Sequence, residues 1–141
     1  MGRLALIGLF ALSLAAAHAQ DIAKGESNIA CVARLSIPDY PTVPRLARIS
    51  ATITAIATLG PNGDVREFKT AKPAPSMEKL FMPSIEKAVR ESVFLPKCAA
   101  SVVTIIFHFE LSNSLPINAV AMSFGYPNEF WITGGPALAH Y

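Results

Sequence analysis

No excess charge of either sign marks this sequence: 12 Lys and Arg stand against 10 Asp and Glu, a formal net charge of +2 at pH 7. With Arg3 set aside as part of a leader, 11 basic residues face 10 acidic ones. That balance excludes bulk electrostatic attraction to nucleic acid or to an anionic membrane surface. Histidine is as scarce, with His108 and His140 alone beyond residue 20. Neither has a Ser or Cys nucleophile with a third orienting group at a recognisable spacing, so acid–base or covalent catalysis is not expected. Metal binding needs three or four clustered His, Cys or carboxylate ligands, and no such spacing occurs. Gly134-Gly135 lacks the strand-to-helix setting of a phosphate loop. The sequence therefore reads as a non-enzyme with no cofactor.

Long apolar runs are limited to one. Residues 4–17 are uncharged and follow Met1, Gly2 and Arg3, but a membrane span needs ~20 apolar residues. The run ends in Ala17-His18-Ala19, the small-x-small pattern of a signal-peptidase site, with Gln20 and Asp21 beyond it. Residues 1–19 are expected to be a cleaved export signal, leaving a periplasmic or secreted chain without a membrane span. The remainder suffices for one domain: an N-terminal segment at 20–39, a folded unit at 40–112 and a tail at 113–141. Cys31 and Cys98 both fall in the exported part and match no C-x-x-C pattern. A structural disulfide is the expected use of such a pair, two separately buried thiols being the alternative.

Within the chain, residues 29–35 suggest a short helix or strand. Pro38, Pro41 and Pro44 then argue for extended or turn backbone and against a helix. From Ile49 the pattern has period two: Ile49, Ala51, Ile53, Ala55, Ala57 and Leu59 share one side. Asn62-Gly63 reverses the chain into a second strand at 65–70, where Val65 and Phe68 are three apart and suggest a bulge or a strongly twisted edge. Phe81, Ile85, Ala88, Val89 and Ser92 follow the helical period, opposite Glu86, Lys87, Arg90 and Glu91, which read as a solvated, salt-bridging face. Pro83 suits a first turn, so the helix is placed from about Met82 and ends before Pro96. Residues 101–111 alternate again, with Val103, Ile105, Phe107, Phe109 and Leu111 on one face. The expected fold is α+β: a small antiparallel three-stranded sheet in the order β-β-α-β, one main helix across a face, and a tail with short strands near 120–124 and 130–133.

The ordered set from Tyr40-Pro41, through Arg45 and Ala47, the strand from Ile49, Gly63-Asp64-Val65, Ile85, Ala88 and Val89 to Phe94-Leu95-Pro96 and the last alternating strand resembles the C-terminal domain of TonB. The resemblance covers residues 40–111; Ala51 and Ser92 depart from the family's usual glycine and tryptophan. It implies a protein-interaction module that accepts a peptide, or a segment of an envelope protein such as an outer-membrane receptor, by strand addition at the edge of the last strand. That edge maps to Val102, Thr104, Ile106, His108 and Glu110, unless the tail or a second copy in a homodimer covers it. The alternative is a structural or inhibitor-like exported protein whose aromatic tail, centred on Phe130 and Trp131, is the interface. A short energy transducer is a further alternative, and it requires residues 1–19 to stay as an anchor.

Overall fold

The computed structural model describes residues 29–72 and 76–138. The leader at 1–19 and His140 lie outside them. Among the described residues seven strands and two α-helices form: β1 (Val32–Arg34), α1 (Thr42–Leu46), β2 (Ala51–Leu59), β3 (Val65–Thr70), α2 (Met82–Glu91), β4 (Val93–Phe94), β5 (Val102–Leu111), β6 (Val120–Gly125) and β7 (Glu129–Gly134). Single 3-10 turns at Glu78–Phe81 and Pro96–Cys98 flank α2 and β4.

The main sheet has five strands in the order β3-β2-β5-β7-β6, not three, and it is mixed. β2 pairs antiparallel with both β3 and β5, as period-two patterning and the Asn62-Gly63 reversal lead one to expect. The correction comes from the tail. β6 runs back antiparallel to β5 but one position away from it, and β7 turns into the gap, pairing parallel with β5 and antiparallel with β6. Two strands of residues 113–141 thus extend the sheet, and the small three-stranded antiparallel architecture is replaced by a five-stranded one. A second, two-stranded sheet of β1 and β4 attaches the N-terminal segment.

Alternation decides which side of the sheet is covered. Ala51, Ile53, Ala55, Ala57 and Leu59 of β2, Val103, Ile105, Phe107 and Phe109 of β5, and Phe130 and Ile132 of β7 all point to one buried face. Across it packs the apolar stripe of α2, Ile85, Ala88 and Val89, together with Phe81 from the preceding turn. Three alanines on β2 leave room that aromatic side chains fill: Phe81 and Phe109 have ring centroids 4.6 Å apart, and Tyr40 meets both edge-on at 5.7 and 5.5 Å. Such small-against-large complementarity is how a two-layer core reaches crystalline packing density.

Local chemistry sets the element ends. Pro83 lies in the first turn of α2, where its missing amide costs no intrahelical bond. The helix stops where Ser92 turns extended, its hydroxyl donating to the Ala88 carbonyl and accepting the Ser36 amide. Between β2 and β3 the register skips at Thr58/Leu59, so that Glu67 faces Thr58 while Val65 faces Leu59. Of the two readings of the Val65 and Phe68 spacing, the register skip is the bulge. The three prolines do not exclude a helix, however: α1 contains Pro44. Pro41 is its N-cap, so Pro44 falls among the first residues, whose amides have no intrahelical acceptor in any case. The helix is only five residues long.

Cys31 and Cys98 are joined, their Cα atoms 5.7 Å apart and their positions separated by 67 residues. The N-terminal segment is held by this bond, by the amide of Leu95 donating to the Cys31 carbonyl, and by Asn128. Asn128 accepts the Cys31 amide at 2.9 Å and donates to the Ile29 carbonyl at 3.0 Å, although it is buried.

Candidate functional site

A sheet can recruit an extended partner only at an unpaired edge. The strand singled out for this role, β5, is central. β2 flanks it from Val102 to Phe109, and β7 flanks its other side from Ile106 to Leu111. Ile106, His108 and Glu110 therefore face Glu129, Trp131 and Thr133 across a parallel ladder, and a strand adding there would have to displace β7. Val102 and Thr104 lie ahead of that ladder. All five residues share the sheet face opposite α2, a surface of mixed polarity on which Thr104, His108 and Glu110 alternate with apolar Val102 and Ile106.

That surface has one ordered cluster. His108 Nδ1 lies 3.2 Å from Thr52 Oγ1, its Nε2 lies 3.3 Å from Glu129 Oε2, and its ring stacks on Trp131 with centroids 4.7 Å apart. With the proton on Nε2, the imidazole donates to the carboxylate and accepts from the hydroxyl, so both ring nitrogens are satisfied. The far side of the Trp131 ring lies over Gly125, where a Cβ would come within 2.8 Å of Cζ3. This arrangement ties β2, β5, β7 and β6 together across the open face. Trp131 is thus engaged with its own sheet, and Phe130 is buried beneath it against Phe107, ring centroids 6.0 Å apart. Neither residue named for the aromatic tail is presented as a free anchor.

The tail presents other residues instead. On β6, Val120, Met122 and Phe124 pair with Gly134, Ile132 and Phe130, which belong to the buried face. They therefore point to the same side as α2, yet all three are exposed, Phe124 at 81%. Tyr126, in the β6–β7 turn, is exposed at 75%. The sequence did carry this signal, since Val120, Met122 and Phe124 alternate; their exposure depends on how far α2 reaches over the sheet.

Among the described residues the edges of the main sheet are β3 and β6, and they differ in chemistry. β3 bears Arg66, Glu67 and Lys69. Its bulged end is tied down by an Arg66–Asp64 ion pair at 2.7 Å and by Arg90 Nη1 donating to the Val65 carbonyl at 3.2 Å. Charge, a bulge and a capped carbonyl are the usual defences of an edge. β6, Val-Ala-Met-Ser-Phe-Gly, has no charge and no proline, and no strand lies beyond it among the described residues.

Among the described residues, no group of three or more His, Cys, Asp or Glu is placed to hold a metal ion, and no helix is long and apolar enough to cross a membrane. Compared with known proteins, the chain matches no family model and no curated sequence.

Proposed function

We propose that this chain is an extracytoplasmic protein-interaction module that takes up an extended segment of an envelope protein along β6. The observation that carries the proposal is the contrast between the edges: β3 is charged and bulged, whereas β6 is uncharged and presents Val120, Met122 and Phe124 on one exposed face. The backbone of an added strand would satisfy the outer amides and carbonyls of β6, and its alternate side chains would cover those three residues. Selectivity then favours partner segments with apolar residues at every second position and no proline. The resemblance of residues 40–111 to the TonB C-terminal domain supports strand addition as the mode, moved here from β5 to the edge that the tail creates. The leader pattern at 1–19 and the Cys31–Cys98 bond support an oxidising compartment outside the cytoplasm.

A photoreactive residue at position 124, introduced in the native cell envelope, tests this reading. The proposal expects a defined adduct with one envelope protein, mapped to an extended segment and abolished by Met122→Pro, which removes an amide pointing out of the β6 edge and none of the amides paired with β7. Adducts that persist in the proline variant would contradict strand addition. Adducts with a second copy alone would replace the partner with a homodimer.

A further inference from the structure

Away from β6, where β5 ends and the chain leaves β7, a cleft of about 180 Å³ lies between the C-terminal end of α1 and residues 111–113 and 136–137. Two arginines, Arg45 and Arg48, line it with Leu111, Ser112, Asn113 and Pro136, and no acidic residue does. In a chain whose charges nearly cancel, two arginines on one small cleft without a carboxylate are a local imbalance. Among the described residues neither has a carboxylate oxygen within 4.0 Å; the ion pairs there involve Arg66, Arg90 and His108.

Both arginines are held in place. Arg45 Nη2 donates to the Tyr40 carbonyl at 3.2 Å, and its guanidinium carbon stands 5.4 Å from the centre of the Tyr40 ring. That leaves Arg45 Nε buried with no acceptor. Arg48 has left-handed backbone, φ 55°, fixed by its amide donating to the Arg45 carbonyl at 3.2 Å. Its Nη2 donates to Asn113 Oδ1 at 3.2 Å, which turns the guanidinium toward the same cleft.

We infer that this cleft is a binding site for a small oxyanion, a carboxylate or a phosphate group. Guanidinium forks recognise such groups through paired charge-assisted hydrogen bonds. At about 30 Å³ per water, the cleft has room for one such group and a few waters. Arg48 supplies the exposed charge and Arg45 a second, less exposed one. The inference does not depend on β6 or on any partner there.

The direct test follows the Nε–H resonance of Arg45 by proton–nitrogen NMR on the folded protein. Sodium phosphate and sodium acetate are added in separate titrations, against sodium chloride at equal ionic strength. The inference predicts a saturable shift of that resonance and of the Ser112 and Asn113 amides, and the stronger of the two titrants identifies the geometry preferred. Arg48→Gln should weaken the response at least tenfold, Arg48→Lys should recover part of it, and Arg34→Gln, on exposed β1, should leave it unchanged. A shift that never saturates, that chloride reproduces, or that survives in Arg48→Gln would overturn the inference. The Arg48 variants leave every contact of Arg45 with Tyr40 in place, so loss of binding would not reflect loss of the core.

Discussion

The ring of Tyr40 lies on the backbone of Gly134: a Cβ at that position would stand 2.7 Å from Tyr40 Cδ2. Tyr40 precedes the main sheet in sequence and Gly134 closes its last strand, so this contact locks the tail-derived strand β7 to the core. Gly134→Ala is expected to lower stability by about 1–3 kcal/mol, the usual cost of overpacking a tight interior. Urea denaturation of the variant beside the parent checks this; an unchanged midpoint would mean that the ring moves aside freely.

Asn128 connects the β6–β7 turn to the N-terminal segment by two hydrogen bonds, to the Cys31 amide and the Ile29 carbonyl. Asn128→Leu keeps much of the volume but leaves the buried Cys31 amide without its acceptor and the more exposed Ile29 carbonyl without its donor. The expected loss is about 1–3 kcal/mol, with faster amide exchange at Cys31 as its local signature.

The Cys31–Cys98 bond closes a loop spanning 67 residues. In the chain-entropy model, such a loop contributes roughly 4 kcal/mol. Replacing both cysteines by alanine should lower the unfolding free energy by up to that amount, and the parent should lose a comparable amount when reduced. A double variant as stable as the parent would show that the other ties of the N-terminal segment suffice.

Burial pushes the Tyr40 hydroxyl above its ordinary value of 10.0, with the Arg45 guanidinium pulling it back in part. Because the folded state holds this proton more tightly than the unfolded state, its contribution is fully present below pH about 10 and is lost as pH rises through the folded-state value. Stability measured from pH 8 to 12 should therefore fall at the alkaline end, and Tyr40→Phe should flatten that fall while losing the hydrogen bond to the Ile49 carbonyl. Equal alkaline slopes in the two proteins would assign the fall to other groups.

Much of this architecture can be read from residue order. The alternation in β2 and β5 and the helical stripe of Ile85, Ala88 and Val89 depend on neighbours near in sequence, which is why their faces are legible. The place of β7 is not. Phe130 and Ile132 alternate with Trp131 and Thr133 as a buried strand should, but alternation does not say which strand lies beside it. Parallel pairing with β5 is decided by a turn and a gap created by β6. The aromatic content of the tail pointed to Phe130 and Trp131 as anchors, yet one completes the core and the other covers Gly125. Asn128 gave no local sign of its role, since its partners lie almost a hundred positions away in the chain. The arginine cleft was equally hidden, because Asn113 and Pro136 meet Arg45 and Arg48 only after the tail has folded back.

The central claim, that β6 is the docking edge, is tested most directly by hydrogen exchange. Peptides that bind the folded protein are first selected from a random library, and amide exchange is then measured with and without a saturating amount of one of them. The account predicts new protection concentrated at residues 120–125, enrichment of peptides with alternating apolar positions, and loss of both in Met122→Pro, whose missing amide faces the open edge. Protection confined to β3, or spread evenly with β6 unchanged, would contradict it.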